Sequence, residues 1–439
     1  KRHNAIWTMK KMALLFSTIF FLFGFSESKL TTYSPCEGAV ISNNAPNLTW
    51  SRTSCDSCEI WIDGKKMDVV QGFRNSYTPI GLSYGTHEWQ VIAFKKGGKL
   101  KSEKAHFSIN DTPLEVLPPN SILLREGWKV QSSAILKSGG KELSSKKIKT
   151  TKWYSTSLPS TVLTTLVRNG VYPNPNIARN NMRIPDCNDQ FNTENDLLKY
   201  SHIKGQNPWT KKYWFRKEFT VTSDLLNQTI WLNIGEINYR AEVWLNGELL
   251  ADTSVMVGME RNFRFNITKK LKLEKPNILA IAIYPPDHPG KPEPSPITPL
   301  ADPGVNMADG MISKDYTKWD ALGWDWQPDV RDRDMGITED VYLTTTSDLE
   351  LTDLYVTSDL PLPDTTSANV TISANINNYS TSENQGLLKA KIVFDDTEIV
   401  IEKSFKIAPN SSSEIIFKPT DFNDLQLKNP KLWWPHGYG

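Results

Sequence analysis

The chain has 439 residues, of which 39% are hydrophobic and 23% are charged, and this composition is that of a globular protein of roughly three domains. Its 50 Lys and Arg residues against 49 Asp and Glu residues give a net charge of +1. This balance disfavours proteins dedicated to nucleic acids or to anionic membranes. The 15 Trp, 14 Tyr and 17 Phe residues suit β-sandwich cores and surfaces that stack on sugar rings.

The N-terminal residues indicate a secreted protein. Residues 1–8 are predicted to lie upstream of a natural start at Met9, which two lysines and an apolar stretch follow. This stretch is shorter than the roughly 20 apolar residues of a membrane anchor, and it ends before Glu27. We therefore predict a signal peptide at residues 9–28 and an extracellular or lysosomal destination.

Secretion implies glycosylation, and six Asn-X-Ser/Thr sequons are candidates for it. They begin at Asn47, Asn227, Asn266, Asn369, Asn378 and Asn410. The last two carry the most weight because turn residues lie beside them.

Secretion also implies disulfide bonds, and the chain has four cysteines, at positions 36, 55, 58 and 187. An oxidising compartment favours a bridge from Cys36 to Cys55 or to Cys58, and the sequence leaves that choice open. The spacing of Cys55 and Cys58 also resembles half a zinc site or a redox pair. No second Cys-X-X-Cys and no nearby His supports a metal, so a structural cystine is predicted.

Residues 30–111 are predicted to form an antiparallel sandwich of immunoglobulin or fibronectin III type. Short alternating runs such as Glu59-Ile60-Trp61-Ile62 are separated by hairpin signals at Asp63-Gly64 and Gly97-Gly98, which is typical of that fold. A proline-rich linker follows.

Residues 120–347 are predicted to form a larger jelly-roll domain. One helix is indicated, with Ser160 as its N-cap and Gly170 as its C-cap. The run from Ile278 to Tyr284 is apolar on both faces, as in a strand buried between two layers. Two long segments without regular pattern, 171–212 and 285–303, are predicted to be loops.

Residues 348–439 return to alternation of apolar and polar residues, for example in 370–376 and 388–394. We predict a second immunoglobulin-like sandwich here. The predicted fold class of the whole chain is therefore all-β.

Sequence motifs of cofactor and metal chemistry are absent. The chain has no phosphate-binding loop, no dinucleotide fingerprint and no His-Glu-X-X-His, and we expect no cofactor and no metal. A chain made of sandwiches with this aromatic content points to carbohydrate instead.

The segment 319–328 is the richest candidate for sugar binding. If it is extended, Trp324 and Trp326 face one side and Asp325 the other. An indole face can stack on a pyranose, and a carboxylate beside it can accept hydrogen bonds from sugar hydroxyls. The structural alternatives are that the tryptophans fill the core and that Asp325 pairs with a buried arginine such as Arg331 or Arg333.

Several stretches, in the right order, resemble the N-terminal non-catalytic domains of glycoside hydrolase family 2. This family includes β-galactosidases, β-glucuronidases, β-mannosidases and exo-β-D-glucosaminidases. The stretches are Leu158-Pro159-Ser160-Thr161-Val162, Pro173-Asn174-Pro175, Asn180 through Asp186, Tyr213 through Phe219, Ala241 through Gly247, Trp324 through Pro328, Met335 through Leu343, and Leu432-Trp433-Trp434-Pro435. The resemblance covers about residues 125–439 and is strongest to the exo-β-D-glucosaminidase branch, with β-mannosidase next. Asn174 stands where the family usually has Asp.

The resemblance implies a retaining mechanism that uses two carboxyl groups. In the family both are glutamates on a catalytic barrel that follows the second sandwich, so the resemblance implies no catalytic residue within these 439 residues. It implies instead that Trp324 and Asp325 reach the terminal sugar of a β-glycoside. Asn181 and Arg183, on the other long loop, are weaker candidates for contacting that sugar.

Two function classes stay open. The first is the N-terminal part of a secreted glycosidase whose barrel, missing here, is the chain's own partner. The second is a barrel-less, lectin-like protein that binds carbohydrate without cleaving it. Neither class requires a nucleic acid or a membrane as partner.

Overall fold

The computed structural model describes residues 29–41, 44–79, 81–110, 117–118, 121–145, 148–176, 179–293, 306–308, 314–315, 329–394 and 397–438. The chain divides into two compact units. One comprises Lys1–Val116 with Leu163–Ile184, and the other comprises Leu117–Val162 with Pro185–Gly439.

The first unit contains the predicted sandwich, whose strands are antiparallel except for one parallel pair. Its strands are β1 Thr32–Ser34, β2 Ala39–Ile41, β3 Leu48–Trp50, β4 Ser57–Ile62, β5 Lys65–Gln71, β6 Ser76–Tyr77, β7 Gly85–Lys95, β8 Gly98–Lys101 and β9 Ala105–Ile109. One sheet has the order β1-β3-β6, and the other has the order β2-β9-β7-β4-β5 with β8 paired to β7. Strand β2 is parallel to β9, and the other pairings are antiparallel.

Alternation along the strands builds this core. In β4 the side chains of Cys58, Ile60 and Ile62 are buried, whereas the residues between them are half-exposed. Two tryptophans, Trp50 and Trp89, are fully buried in the same cluster. The strand period of two therefore places one face of the sheet in the core and the other in solvent.

The second unit begins with the jelly roll. Its strands are β10 Ile122–Leu123, β11 Trp128–Ser132, β12 Tyr154–Thr156, β13 Ser160–Thr161, β14 Tyr213–Phe219, β15 Thr229–Ile234, β16 Ile237–Asn238, β17 Arg240–Leu245, β18 Glu248–Ala251, β19 Phe263–Asn266, β20 Asn277–Tyr284, β21 Pro292–Glu293, β22 Asn306–Ala308, β23 Gly336–Ile337 and β24 Val341–Thr346. A six-stranded sheet has the order β12-β11-β14-β20-β17-β18 and a four-stranded sheet the order β10-β24-β15-β19. Two smaller sheets have the orders β13-β23-β16 and β21-β22.

Strand β20 lies inside the six-stranded sheet and is buried on both faces. The residues from Ile278 to Ile283 are at most 1% exposed, as their unbroken apolar pattern predicts. On one face Ala280 and Ala282 pack with Trp214, Trp153 and other apolar side chains. This second layer explains why no polar residue alternates along the strand.

In the part of the chain that the structure describes, the α-helices are short: α1 Gly140–Leu143, α2 Val162–Arg168 and α3 Asp189–Glu194. Single 3-10 turns occur at Asn180–Arg183, Leu197–Tyr200, Pro208–Thr210, Ser223–Leu225, Thr268–Lys270 and Asn423–Leu425. None of the helices among the described residues is long and apolar enough to cross a membrane.

Helix α2 is the predicted helix, with a correction at its start. It begins at Val162, so Ser160 lies in strand β13 and does not hold the predicted N-cap position. The C-cap prediction is confirmed, because Gly170 has φ +71°. The amides of Gly170 and Val171 donate to the carbonyls of Val167 and Leu166, which is a Schellman ending.

The second sandwich contains β25 Leu349–Asp359, β26 Ser367–Asn378, β27 Asn384–Phe394, β28 Thr397–Ile407, β29 Ser411–Phe417 and β30 Gln426–Lys428. One sheet has the order β25-β26-β29 with β30 paired to β26, and β27 pairs with β28 in another. Val370, Ile372, Ile401 and Phe417 lie in its core. The predicted all-β architecture of two small sandwiches and a jelly roll is thus confirmed.

The structure tests accessibility at the sequons. Asn378 is only 1% exposed, and its Nδ2 donates to the carbonyls of Ser382 and Ala408 at 2.8 and 3.0 Å. A glycan on that nitrogen would remove these bonds, so the burial of Asn378 disfavours its glycosylation in the folded protein. Glycosylation at the sequons stays a prediction. The other five sequon asparagines are exposed.

The four cysteines are free thiols in the structure. The sulfurs of Cys55 and Cys58 lie 3.4 Å apart, whereas Cys36 is exposed. The geometry therefore favours a pair between Cys55 and Cys58 over the predicted bridge from Cys36. A structural cystine stays a prediction.

Candidate functional site

The predicted sugar-binding residues fall in two segments. Trp324 and Asp325 lie outside the described residues. Asn181 and Arg183 share the 3-10 turn Asn180–Arg183, but they differ in exposure. Asn181 is 2% exposed, so it serves the interior of the loop, while Arg183 points to solvent and is free to meet a ligand.

Asparagine side chains hold this loop together. The side chain of Asn180 donates to the carbonyl of Asn174 at 3.0 Å, and the side chain of Asn174 donates to the carbonyl of Thr78 at 3.2 Å. The Oδ1 of Asn174 accepts from the amide of Asn176 at 3.0 Å. Asn174, the residue that departs from the family pattern, is thus a structural link.

A buried ion cluster begins directly after the segment that contains Trp324 and Asp325. Its centre is Asp186, which receives Arg333 Nη1 at 2.9 Å and Nη2 at 2.8 Å. Arg331 Nη1 approaches the same carboxylate at 3.3 Å. The side chains of Asp186, Arg331 and Arg333 have no exposed surface. This fork-to-carboxylate geometry fixes both partners in orientation.

The backbone around Asp186 is held as tightly as its side chain. Its amide donates to Oδ1 of Asn192 at 2.7 Å, and the side-chain Nδ2 of Asn192 donates back to the carbonyl of Asp186 at 2.7 Å. The amide of Asn188 donates to Oδ1 of Asp186 at 2.8 Å. Asn188 is also the N-cap of α3, where its Oδ1 accepts from the amide of Phe191. The acidic anchor is therefore built into the start of a capped helix.

Arg333 links Asp186 to two further parts of the jelly roll. Its Nε donates to the carbonyl of Pro289 at 2.8 Å, and Nη1 donates to the carbonyl of Val330 at 2.7 Å. Its own carbonyl accepts from the side chain of Asn238 at 2.8 Å. Although burial alone would lower the pKa of Arg333, the charge of Asp186 raises it above its usual range. Arg333 therefore stays charged inside the fold.

Asp329 is a second buried carboxyl in the cluster and directly follows Pro328. It is 1% exposed, and its pKa is raised to about 8, mainly by burial. The charge of Asp186 contributes to this rise, while Arg333 and Arg331 oppose it. The neutral acid is thus the favoured form of Asp329 below this pH.

A second buried pair closes the same stretch of chain. Arg125 Nε and Nη2 donate to the two carboxylate oxygens of Asp340 at 2.9 Å each, and both side chains are nearly fully buried. Residues 329–340 are therefore fixed at both ends.

The ion cluster around Asp186 can hold the adjacent chain in place. The described residues contain no group of three or more His, Cys, Asp or Glu side chains that could hold a metal ion. The sequence offered Arg331 and Arg333 as partners of Asp325, but the structure pairs both with Asp186. The alternating Arg-Asp-Arg-Asp run at 331–334 is the signal that could have indicated a buried network.

Two family models match the chain. Residues 194–339 match the galactose-binding domain-like domain of glycosyl hydrolase family 2, and residues 349–438 match the family model described as glycosyl hydrolases family 2. Together the two matches cover just over half of the chain. The chain belongs to glycoside hydrolase family 2.

Curated relatives of this family-2 chain are glycosidases. It is 29% identical over 334 residues to a mannosylglycoprotein endo-beta-mannosidase of Lilium longiflorum, covering 72% of this chain and 31% of that protein. It is 25% identical over 313 residues to an exo-beta-D-glucosaminidase of Streptomyces avermitilis, covering 71% of this chain and 29% of that protein. The chain thus spans about a third of the length of the curated relatives it matches.

Among solved structures, the chain resembles the exo-chitosanase of Amycolatopsis orientalis. The TM-score is 0.48 at 20% identity, with 73% of this chain and 30% of that chain covered.

Proposed function

We propose that this chain is the N-terminal, non-catalytic part of a secreted retaining glycosidase that acts on β-linked glucosamine or mannose. The observation that carries the proposal is the presence, in order, of two family-2 domains. Two of the curated relatives are named for β-mannosidase and exo-β-glucosaminidase activities.

In this proposal the jelly roll presents Trp324 and Asp325 to the terminal sugar. The buried Asp186 cluster supports that role, because Arg331 and Arg333 anchor the chain a few residues after Asp325. A sugar-binding loop holds its side chains in a more precise geometry when the chain next to it cannot move. Arg183, exposed on its own loop, is a further contact for the substrate.

The reaction itself belongs to the barrel that the family carries after its second sandwich. There, two carboxyl groups about 5–5.5 Å apart act as nucleophile and as acid/base, so the anomeric configuration is retained. The 439 residues of this chain supply substrate contacts and the mechanical support for them.

The test uses the native protein, purified from its source with an antibody raised against residues 29–439. We expect hydrolysis of an aryl β-mannoside or an aryl β-glucosaminide, with the β-anomer as first product by NMR. Recombinant 29–439 serves as control and should hydrolyse neither. A native protein that binds chitosan or mannan oligosaccharides without cleaving them would favour the lectin-like alternative.

The site residues are tested in the same enzyme. Asp325→Asn should lower kcat/KM while leaving the melting temperature nearly unchanged, because the lost contacts are made to the sugar. Asp325→Asn with unchanged kinetics and a melting temperature several degrees lower would show a structural role instead.

A further inference from the structure

The N-terminal sandwich carries a cationic surface that lies outside both family-2 matches, which begin at residue 194. Its centre is the β7–β8 hairpin, where the chain runs Lys95-Lys96-Gly97-Gly98-Lys99-Leu100-Lys101. All four of these lysines are exposed.

An open crevice lies on each side of the hairpin. The first, of about 610 Å³, is lined among others by Arg52, Lys95, Lys96 and Lys99. The second, of about 420 Å³, is lined by Lys99, Lys101 and Lys104, together with aromatic and acidic side chains. Lys99 borders both, so the two crevices form one continuous basic surface around the hairpin.

The charges on this surface are unbalanced. The two glutamates of the second crevice are already paired, Glu59 with Lys66 at 3.2 Å and Glu88 with Lys104 at 2.8 Å. Arg52, Lys95, Lys96, Lys99 and Lys101 form no salt bridge with any residue that the structure describes. Like charges held this close repel one another, and an anionic partner would relieve that repulsion.

The second crevice also has residues of the types that bind sugars. Trp61 and Phe94 line the second crevice and are half-exposed on the solvent face of the sheet. Trp61 Nε1 donates to Glu59 at 3.0 Å, which fixes the indole in place. A fixed indole offers a flat apolar face to a pyranose ring, and the carboxylates of Glu59 and Glu88 can accept hydrogen bonds from hydroxyls.

We propose that the β7–β8 hairpin and its two crevices bind an anionic polysaccharide, with carboxylates on the lysines and sugar rings on Trp61 and Phe94. A single-stranded nucleic acid, whose phosphates the same lysines could hold, is the alternative occupant that the test distinguishes. The proposal does not depend on the glycosidase activity.

The test is affinity electrophoresis of residues 29–439 in gels that contain polygalacturonate. We expect retardation that weakens as sodium chloride is raised. The quadruple variant Lys95→Ser/Lys96→Ser/Lys99→Ser/Lys101→Ser should bind at least about tenfold more weakly. Its matched control, Lys199→Ser/Lys389→Ser/Lys391→Ser/Lys406→Ser, also removes four exposed lysines, each of which faces a carboxylate, and it should bind like the wild type.

Two aromatic variants and three further ligands separate binding of sugar rings from binding of negative charge. Trp61→Ala should weaken binding to polygalacturonate but not to poly-glutamate, and Phe94→Thr repeats this test at a second ring. Circular dichroism verifies the fold of each variant. Unchanged binding by the four-lysine variant, or single-stranded DNA or poly-glutamate bound as tightly as polygalacturonate, would overturn the proposal. Equal binding of neutral glucomannan would overturn it as well.

Discussion

Asp186 determines how the chain beyond Asp325 is held. One carboxylate accepts hydrogen bonds from two guanidinium groups and from a backbone amide. Neither Arg331 nor Arg333 has exposed surface, so water cannot replace the carboxylate. Removing one partner of such a network leaves a buried charge without a counter-charge. The free-energy cost of that unpaired charge is larger than the stabilisation that the intact network provides.

We expect Asp186→Asn to lower the free energy of unfolding by about 3–5 kcal/mol, because two buried arginines then lose their counter-charge. Urea unfolding measures the change. The control is Asp196→Asn, at an exposed carboxylate 2.8 Å from Lys199, which should cost about 1 kcal/mol or less. Equal unfolding midpoints for the two variants would contradict the assigned role of Asp186.

Asp329 makes stability depend on pH. Its folded pKa of about 8 lies above the ordinary value of 3.8, so the folded state holds the proton that the unfolded state loses. The free energy of unfolding that Asp329 contributes is fully present when the pH is below the ordinary pKa of the carboxyl. This contribution is lost as the pH rises towards 8, by at most about 1.4 kcal/mol per pH unit.

The measurement is the melting temperature of wild type and Asp329→Asn between pH 6.5 and 8. The amide mimics the neutral acid, so the variant should become progressively more stable than the wild type as pH rises. Below this window His202 acts in the opposite direction, because burial lowers its pKa to about 4 and its stabilisation is lost on acidification. A constant difference in melting temperature across the window would show that Asp329 does not titrate there.

Strand β4 and the loop before it bring two thiols together. Cys58 is buried in the strand, where burial raises its pKa to about 12. Cys55 is half-exposed in the loop, so it is the sulfur that an external disulfide reaches first. Attack by Cys55 on oxidised glutathione releases one glutathione thiolate, and displacement of the second by Cys58 closes the bridge with both protein thiols oxidised.

We expect the protein from an oxidising compartment to carry the Cys55–Cys58 bridge. Tryptic peptide 53–65 holds both cysteines, while Cys36 lies in peptide 30–52. Under non-reducing conditions, the mass of peptide 53–65 should be lower by one hydrogen atom for each of its two sulfurs, and iodoacetamide should not alkylate it. Cys36 should be alkylated. A cross-linked pair of peptides 30–52 and 53–65 would instead support the bridge predicted from sequence.

The three β domains differ in how completely they bury their apolar residues. In the jelly roll, β20 is at most 1% exposed from Ile278 to Ile283. In the second sandwich, Leu351, Leu354 and Val356 of β25 are 54, 69 and 55% exposed. An apolar groove of about 440 Å³ lies beside them. A domain with an open apolar groove has fewer buried contacts to oppose local opening.

We expect the second sandwich to be the least stable part of the 29–439 chain. In native-state hydrogen exchange, amides of β25, β27 and β28 should exchange faster than those of β14 and β20. The exposure of Trp433 and Trp434, at 84 and 53%, leads us to expect aggregation as well. Equal protection of the second sandwich and the jelly roll would contradict this expectation.

Local patterns in the sequence predicted most of the fold. Alternation located β4, β7, β9 and β26, and an unbroken apolar run located β20. The left-handed Gly170 ended helix α2 where its sequence position indicated. The start of α2 was misjudged, because Ser160 has a strand partner in Ile337. That pairing joins residues far apart in sequence and leaves no local signal.

The sequence by itself determined the all-β class, the family resemblance and the absence of local cofactor motifs, because each follows from residues adjacent in the chain. Only the tertiary structure decided which carboxylate meets Arg331 and Arg333, because Asp186 lies 145 positions from Arg331. It also decided that Asn378 is a buried hydrogen-bond donor, which its sequon does not reveal. Burial and long-range pairing are properties of the packed chain, so a sequon or an Arg-Asp run alone cannot reveal its partner.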